Sequence, residues 1–442
     1  MSRGLAALLA LTVGAGCTPP STWYGLSPDH RRAFSVQDEG GSICVRLDAE
    51  APRCFDGVAI SRIAFSPDSR HMAYPVEDGG RWYVVHDGVP GASVDGVGEI
   101  VFSPDGGRLA YSAERDGAWH VVVDGSSGPP FDSLRAGSLV FDPAGRRHGY
   151  VAFTSGKEAA VVDGVAARDH LAVARLRFSP WGGRTGYVAR DPDGVRLYID
   201  GVPGLAHDGI QGFAFDPAGG AAYIANDGGR TWVVHDTTRW GPYLGVANIA
   251  FRPAGGELVY VARDSLGEHV VFDGIPGPTH GAVDAPAFSP RGTTWGYVAH
   301  DSTGSIVVMD GVVADHRSWI GGLTFNADGS RYAYVTRSID AEFLVHDGGV
   351  EELDMIVDGT LQFLDPENRW TCLAGRMDAR RLFVVTEGVP DRRPFSWSAF
   401  IGVARGTPPP AAAAAAVEEM GLEALRDWVS AEARLMLEGE GR

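Results

Sequence analysis

The sequence contains almost no lysine and little positive charge. Lys157 is the only lysine, and 56 acidic residues outnumber 38 lysine and arginine residues, which gives a formal net charge of −18. An acidic surface repels nucleic acid and anionic lipid, so neither is expected as the main partner. Lys157 lies outside any Gly-x-x-x-x-Gly-Lys pattern, so a phosphate-binding loop of that type is excluded.

Several catalytic and metal-binding motifs are also missing. The chain has no His-Glu-x-x-His, no Gly-x-Ser-x-Gly and no Asp-x-Asp-x-Asp-Gly calcium loop. These absences disfavour a zinc peptidase, an α/β-hydrolase and a dedicated calcium site. We therefore expect no catalytic residue, no metal ligand and no cofactor.

Long apolar runs are confined to the N-terminus. Residues 1–17 have a positive Arg3, an apolar stretch over 5–13 and small residues before Cys17, as in a secretory signal peptide. No later segment reaches the 18 or more apolar residues of a membrane-spanning helix. The ending Val-Gly-Ala-Gly-Cys resembles the lipobox of bacterial lipoproteins, which implies lipidation of Cys17. The alternative is ordinary signal cleavage with a spare cysteine.

Only three further cysteines are present. Cys44 and Cys54 flank one predicted hairpin turn, so a cross-strand disulfide is geometrically possible in an oxidising compartment. Cys372 occupies a position that is Tyr in other copies of the repeat described next, and we interpret it as a buried core residue.

The 60 glycines accompany an internal repeat of 36–39 residues. Each copy begins at an apolar anchor: Leu26, Phe65, Phe102, Phe141, Phe178, Phe215, Phe251, Phe288, Phe325 and Phe363. A proline follows nine of the ten anchors. An aromatic residue comes eight or nine positions after most anchors: Phe34, Tyr74, Tyr111, Tyr150, Tyr187, Tyr223, Tyr260, Tyr297 and Tyr334. An acidic residue closes the third segment of each copy: Asp48, Asp87, Asp124, Asp163, Asp200, Asp236, Asp273, Asp310, Asp347 and Glu387.

Each column of the repeat has a physical interpretation. The anchor ends a short apolar run typical of a buried strand, and the Ser-Pro-Asp-Gly that follows is a turn signal. The aromatic lies in a second strand, and Asp-Gly after a third strand indicates a two-residue hairpin. Small residues beside each Tyr would let neighbouring sheets approach closely. Four short antiparallel strands per repeat predict an all-β chain, a β-propeller of about ten blades.

Residues 102–111, Phe-Ser-Pro-Asp-Gly-Gly-Arg-Leu-Ala-Tyr, resemble the WD-like repeats of the periplasmic Tol-system propeller family. Propeller domains of prolyl-oligopeptidase-type enzymes carry similar repeats. The resemblance covers residues 26 to about 400. It implies blade architecture and leaves the activity open, because one fold supports many functions.

The organisation that follows is a signal peptide over 1–17, a propeller over 22–400, a Pro-rich linker over 401–410 and a helix over 411–438. Even spacing favours one large ring, while two smaller rings and an irregular arrangement remain open. Val417, Met420, Ala424, Trp428, Ala431 and Leu435 recur at helical spacing. This helix could dock on the ring or bind another protein, or the tail could be disordered.

Two sets of side chains are candidates for binding. A partial column of acidic residues follows the second strand: Asp78, Asp191, Asp227, Asp264 and Asp301. Its carboxylates could form a rim that holds a cation or a basic ligand. The alternative is that they are solvated turn residues. Trp82, Trp119 and Trp232 either form an aromatic platform or cover a half-buried strand. His86, His235 and His346 precede the third-strand Asp where Val123 stands in another copy, so we interpret them as strand-face residues.

Together these features favour a non-enzymatic, membrane-tethered propeller that binds a protein or another envelope ligand. It would be an exported bacterial lipoprotein in the periplasm or on the outer membrane, in contact with the membrane only through its lipid. The alternative is a propeller enzyme of the lactonase, lyase or glycosidase kind, with acidic residues at the channel mouth. A purely structural envelope protein is the third hypothesis.

Overall fold

The computed structural model describes residues 22–28, 32–338, 341–347, 349–356, 361–364, 368–376, 381–387, 389–390 and 395–396. The predicted signal peptide, Cys17, the linker over 401–410 and the helix over 411–438 lie outside these residues. Short antiparallel strands make up most of the described chain, and its one helix is a single 3₁₀ turn, Ile60–Arg62. Within the described part, no helix has the length and hydropathy needed to span a bilayer.

The described chain divides into two compact units, with the boundary between Leu205 and Ala206. Unit 1 contains five of the described sheets. Sheet 1 comprises Thr22–Leu26, Ala33–Asp38, Ile43–Leu47 and Arg53–Phe55. Sheet 2 comprises Gly57–Val58, Ala64–Phe65, Met72–Asp78, Arg81–His86 and Val89–Pro90. Sheet 3 comprises Gly96–Phe102, Leu109–Arg115, Ala118–Val123 and Ser126–Ser127. Sheet 4 comprises Ser133–Leu134, Val140–Phe141, His148–Thr154, Lys157–Val162 and Val165–Ala166. Sheet 5 comprises Ala172–Phe178, Thr185–Asp191, Gly194–Ile199 and Val202–Pro203.

Unit 2 contains the other five described sheets. Sheet 6 comprises Gly209–Phe215, Ala221–Asp227, Arg230–His235 and Thr238–Tyr243. Sheet 7 comprises Gly245–Phe251, Leu258–Arg263, Glu268–Phe272 and Ile275–Pro276. Sheet 8 comprises Ala282–Val283, Ala287–Phe288, Trp295–Asp301, Gly304–Met309 and Val312–Arg317. Sheet 9 comprises Ile320–Phe325, Tyr332–Arg337, Glu342–His346 and Gly349–Leu353. Sheet 10 comprises Met355–Ile356, Gln362–Leu364, Arg369–Arg376, Arg381–Thr386, Val389–Pro390 and Phe395–Ser396.

Each sheet is built on an antiparallel meander of four strands that pair in chain order, which is the architecture of β-propeller blades. In sheet 10, Phe395–Ser396 also pairs with Arg381–Thr386. In sheets 2, 4, 8 and 10 the first strand is split into two short pieces, and both pair with the second strand. The all-β class and the four-stranded antiparallel sheets predicted from the sequence are therefore confirmed. The first strand is less continuous than its apolar run suggested.

The core lies between successive sheets within each unit. Ala73 of sheet 2 packs in one cluster with Phe102 and Tyr111 of sheet 3, and Ala222 of sheet 6 packs with Tyr260 of sheet 7. A Cβ added to Gly149 would lie 3.1 Å from Leu176 Cδ2 of the next sheet. The small residues beside seven of the eight tyrosines therefore let neighbouring sheets meet face to face, as the repeat pattern indicated.

The residue after the anchor closes the turn between the first two strands. Ser103 is completely buried, and its Oγ accepts the Arg108 N–H at 2.9 Å while it donates to Asp105 Oδ1 at 2.5 Å. Asp142 and Asn326 occupy the same repeat position and accept the equivalent N–H at 2.8 and 2.9 Å. A buried side-chain acceptor therefore recurs at this position, and three residue types supply it.

The Asp that ends the third strand closes a second turn on the same side of the sheet. Asp124 and Gly125 have φ values of 48° and 81°, which is the type I′ turn expected from Asp-Gly. Asp124 Oδ1 accepts the Leu109 N–H at 3.0 Å, and its Oδ2 accepts the Arg108 Nε–H at 2.7 Å. This carboxylate thus joins the start of the second strand to the end of the third.

The arginine of this group also reaches the next sheet. Arg108 donates through Nη1 to the carbonyl of Arg146 at 2.8 Å, and its guanidinium lies 5.6 Å from the centre of the Phe141 ring. Equivalent arginines donate to a carbonyl of the following sheet: Arg32 to Arg70, Arg147 to Gly183 and Arg331 to Asn368. Arg252 donates to the Gly292 carbonyl in the same way, from the position directly after its anchor. We call this contact the arginine bracket.

Replacing Ser103 with Ala tests the buried acceptor. The Arg108 N–H would lose its side-chain partner, so we expect S103A to lower the free energy of unfolding by about 1–2 kcal/mol. The measurement is urea unfolding followed by tryptophan fluorescence. S103N should retain more stability than S103A, because Asn326 already fills this position in sheet 9. The exposed control S126A should be near neutral, and an equal loss in S126A would contradict the prediction.

Candidate functional site

The meander gives every sheet two different edges. The turn edge carries the turns between strands one and two and between strands three and four, including the arginine bracket. The hairpin edge carries the hairpin between strands two and three and the connection that arrives from the preceding sheet. Loops at such edges are where propellers place binding groups, because the strands beneath them are rigid. The predicted acidic column lies on the hairpin edges.

In sheets 2 to 4 a carboxylate of the arriving connection fastens the hairpin. Asp56 Oδ2 accepts the Gly79 N–H at 2.8 Å. Asp95 does the same for Asp116 at 2.7 Å, and Asp132 for Ser155 at 2.7 Å. These aspartates hold the start of the first strand against the hairpin of the same sheet.

In sheets 5, 6 and 8 the hairpin supplies a carboxylate and the arriving connection supplies a histidine. Sheet 6 also keeps the first arrangement, since Asp208 Oδ2 accepts the Gly228 N–H at 2.8 Å. His170 Nδ1 lies 2.8 Å from Asp191 Oδ1, and His207 Nδ1 lies 2.9 Å from Asp227 Oδ2. In sheet 8 the distance from His280 Nδ1 to Asp301 Oδ2 is also 2.9 Å. At this junction, therefore, the carboxylate can come either from the arriving connection or from the hairpin.

Asp191 has the most complete set of partners. Its Oδ1 also accepts from Arg168 Nη2 at 3.0 Å, and its Oδ2 accepts from Tyr198 OH at 2.6 Å. The Asp191 side chain is 3% exposed, and that of His170 is fully buried. The rings of Tyr187 and Tyr198 stack at 5.0 Å beside this group. Asp191 therefore belongs to a closed polar cluster within unit 1.

Asp191 is ionised and Tyr198 is protonated at neutral pH. Burial alone would raise the pKa of Asp191, but hydrogen bonds from Tyr198 and His170 outweigh it and hold the pKa below 3.8. Burial raises the pKa of Tyr198 to about 12, and the Asp191 carboxylate contributes to that shift. A buried carboxylate with a depressed pKa is poorly matched to proton transfer near neutral pH. The cluster is suited to holding strands together.

The other members of the predicted acidic column have more open surroundings. Asp227 accepts from His207 and from Arg239 Nη2, the latter at 2.8 Å. Asp301 accepts from His280 and from the Gly281 N–H at 2.8 Å. The Oδ1 of Asp264 accepts the Leu266 N–H at 2.8 Å, which caps its own turn.

The column is therefore not a uniform rim. Asp78 and Asp301 are exposed, Asp227 and Asp264 are half-buried, and Asp191 is buried. Asp191 is enclosed by histidine, arginine and tyrosine, so its carboxylate does not face solvent with the rest of the column. Each of these aspartates occupies the hairpin of its own sheet, two in unit 1 and three in unit 2.

The histidines that pair with the column were not predicted from the sequence. His170, His207 and His280 each stand eight positions before an anchor, in the repeats whose second strand ends in Asp191, Asp227 and Asp301. This offset was visible as an internal pattern. Only the fold shows that a residue before the first strand and a residue after the second strand meet at one edge.

The cysteines are structural in the described part of the chain. Cys44 and Cys54 face each other across the last two strands of sheet 1 and are joined by a 2.05 Å S–S bond. Cys372 is fully buried in the cluster between sheets 9 and 10. Burial raises the pKa of its thiol to about 12, so it stays protonated. This is the core position expected from its place in the Tyr column.

The tryptophans are distributed among several packing roles. Trp82 lies half-buried against the cluster between sheets 2 and 3. The Trp232 ring lies 3.8 Å from the guanidinium carbon of Arg239, a cation–π contact. The half-buried position predicted for these residues accounts for both.

Two groups on turn edges combine histidine with carboxylate at distances that a metal ion could bridge. One is His71, His86 and Asp87 in sheet 2, and the other is Asp216, His235 and Asp236 in sheet 6. Asp87 also lines a cleft of about 150 Å³ between sheets 1 and 2, together with Arg32, Arg53 and Tyr74. No metal-binding motif in the sequence indicated either place.

No protein-family model matches the chain, and no curated protein matches its sequence. Solved structures that are similar include dihydro-heme d1 dehydrogenase NirN, at 15% identity over 62% of this chain and 70% of that one, with a TM-score of 0.36. TolB from Acinetobacter baumannii has 12% identity over 64% and 75%, with a TM-score of 0.25. The Dos1 propeller has 13% identity over 63% and 90%, with a TM-score of 0.33. At these values the likenesses carry no argument about function.

Replacing Asp191 tests the closed cluster. D191N removes the charge that pairs with His170 and Arg168, so we expect unfolding to become easier by about 2–4 kcal/mol at pH 7. Because the folded-state pKa is depressed, this stabilisation is present above the ordinary pKa of 3.8 and is lost as the pH falls through the folded value. The gap between wild type and D191N should therefore narrow in acid, as measured by urea unfolding at pH 7 and pH 3.

The matched control is D78N, at the same hairpin position of sheet 2. Asp78 is exposed, so this change should alter the free energy of unfolding by less than about 0.5 kcal/mol. Equal losses in D191N and D78N would show that burial and pairing do not distinguish the two carboxylates.

Proposed function

We propose that this chain is a non-enzymatic β-propeller, tethered to a bacterial membrane through a lipid on Cys17, that binds a protein partner in the cell envelope. The signal-peptide pattern and lipobox-like ending support export and tethering. The net charge of −18 favours a protein partner over nucleic acid or anionic lipid. The binding role rests on one repeated surface feature.

That feature is a set of exposed aliphatic residues at or next to the start of the fourth strands. Val89, Val165 and Val202 of unit 1 are 68%, 72% and 67% exposed. Unit 2 has Ile275, Val312 and Val350 at the corresponding places, at 72%, 69% and 56%. Single exposed aliphatic residues are common on protein surfaces, but here they recur at the same structural position in several sheets. Covering such side chains is favourable at about 25 cal/mol per Å² of apolar surface.

The fourth strands favour recognition through side chains. In sheets 2, 5 and 7 this strand is only two residues long and ends in proline: Pro90, Pro203 and Pro276. A short edge with proline offers few N–H groups for an added strand. A partner that lays an apolar surface over the valines fits this edge better than an extended peptide does.

The state of the candidate catalytic groups also supports binding over catalysis. Three aspartates of the hairpin edges are engaged by histidine and by arginine, tyrosine or backbone N–H groups: Asp191, Asp227 and Asp301. A general base needs a carboxylate oriented toward substrate with a pKa near the working pH. These carboxylates are oriented toward the protein, and their pKa values are lowered.

Site-specific photo-crosslinking tests the proposed surface. A photoreactive residue at position 89 or 165, introduced in cells of the source bacterium, should capture a discrete protein from the envelope fraction. The same residue at the exposed Lys157, on the hairpin edge of sheet 4, is the matched control and should capture much less. The combined variant V165E/V202E should reduce capture by at least about tenfold, because a charge at a covered position must be desolvated.

Equal capture from position 157, or no adduct from either valine position, would contradict this surface. An unchanged yield with V165E/V202E would do the same. The free energies of unfolding of the variants should match wild type, since both valines are exposed.

The tether is tested by C17S. Loss of the thiol would remove the site of acylation, and without the acyl chains the protein should move from the membrane fraction to the soluble periplasmic fraction. The measurement is fractionation together with metabolic labelling by a fatty acid. Fatty-acid labelling of C17S, or no labelling of wild type, would contradict lipidation at this residue. Neither outcome would bear on the proposed binding surface of the fourth strands.

A further inference from the structure

Sheet 2 places two histidines beside the aspartate that ends its third strand. His71 Nδ1 lies 2.6 Å from Asp87 Oδ2, and His86 Nε2 lies 3.7 Å from the same oxygen. One ligand atom from each residue falls within 4.8 Å of the others. We infer that His71, His86 and Asp87 form a binding site for a divalent transition metal ion such as Zn²⁺. This inference does not depend on the proposed function.

The surroundings of His86 provide the second observation. Its Nε2 atom is buried and has no hydrogen-bond partner in the described structure. Buried polar atoms normally have a partner, because desolvation is otherwise uncompensated. The atom faces the Asp87 carboxylate at a distance too long for a hydrogen bond and suited to two ligands of one cation. A metal ion would satisfy both groups.

Comparison among the repeats shows that this pair of histidines is particular to sheet 2. The place of His71 is taken by an arginine in sheets 1, 3, 4, 5 and 9: Arg32, Arg108, Arg147, Arg184 and Arg331. The place of His86 is taken by Val123 in sheet 3 and Ile199 in sheet 5, and by His235 and His346 in sheets 6 and 9, where no histidine stands at the place of His71. The fold therefore requires neither histidine. Sheet 2 exchanges a cation and an aliphatic residue for two neutral metal ligands around the same aspartate.

The distances agree with a small metal coordination sphere. Zinc binds histidine nitrogen and carboxylate oxygen at about 2.0–2.2 Å, which places tetrahedral ligands about 3.4 Å apart. His86 and Asp87 are near that separation, and the hydrogen-bonded pair of His71 and Asp87 would open by about 0.8 Å as zinc replaced the shared proton. Three protein ligands leave a fourth position for water or a small anion.

The exposed parts of the three side chains give access to the site from solvent, although the Nε2 atom of His86 is itself buried. The side chains of His71, His86 and Asp87 are 38%, 41% and 42% exposed, so an ion can enter without unfolding of the sheet. The His86 ring also packs edge-on against Phe102 of sheet 3 at 5.6 Å. The aromatic contact holds one ligand in place, which favours a preformed site.

The test is a zinc titration of the untagged mature protein in competition with a chromophoric chelator. Wild type should bind one Zn²⁺ at this site. The variants H71R and H86V should each weaken that binding by more than about tenfold, since each removes a direct ligand. Both install residues that other sheets already carry at these positions, so both should fold. Unfolding in the presence of a chelator checks that they do.

Two controls separate this site from other zinc-binding groups. H235V changes the second histidine–carboxylate group, in sheet 6, and should leave the sheet 2 affinity unchanged. H120Q changes a half-buried histidine that contacts only the Gly128 carbonyl in the described structure and should also have no effect. Co²⁺ in place of zinc should give a visible spectrum of low-coordinate geometry that is lost in H71R.

Three outcomes would overturn the inference. The first is the absence of zinc binding by wild type at micromolar concentrations. The second is binding that is unchanged in both H71R and H86V. The third is binding that is lost in H235V and retained in H71R, which would assign the ion to sheet 6.

Discussion

The arginine bracket fastens the turn edge of one sheet to the next in five of the described sheets, sheets 1, 3, 4, 7 and 9. Arg108 binds the aspartate that ends the third strand of its own sheet and a turn carbonyl of the following sheet, and it covers the anchor phenylalanine of that sheet. One side chain therefore fixes a turn, a sheet-to-sheet distance and a ring position. The aspartate can serve this contact because Asp-Gly adopts the positive φ values that a tight turn between twisted strands requires. With the turn edges fixed in this way, the small residues beside each tyrosine bring the sheet faces together.

The residues that join the hairpin edges vary more between sheets, because fewer contacts are required there. They must hold an arriving connection against a hairpin, and either side can supply the carboxylate. Asp95 accepts from the hairpin in sheet 3, whereas Asp191 in the hairpin accepts from His170 of the connection in sheet 5. This exchange explains why an acidic column visible in the sequence is only partly an acidic surface. It also explains why histidine recurs at one offset from the anchor, where it pairs with the hairpin aspartate.

Individual sheets differ because residue types change at a fixed position of the repeat. At the turn edge of sheet 2, His71 replaces the bracket arginine and His86 replaces an aliphatic residue, while the turn around Asp87 is preserved. At the fourth strands, a valine or isoleucine that contributes nothing to the core remains exposed in sheet after sheet. The fold does not need these choices. We therefore expect binding at the turn edge of sheet 2 and at the fourth strands. Neither place changes the buried acceptor that follows the anchor.

The sequence alone determined the repeat length, the four strands of each copy and the burial of the Tyr column. These features are local, because turn chemistry and strand periodicity act over fewer than about ten residues. It also indicated the Cys44–Cys54 pairing, since the two residues flank a single hairpin. Only the tertiary structure decided which distant residues meet. His170 and Asp191 are 21 positions apart, and His71 and Asp87 are 16 apart. Their contact depends on which edge of the sheet each connection reaches. The spacing of residues within one strand does not carry that information. The sequence therefore predicted a surface position for Asp191, whereas the structure places it at the centre of a buried cluster.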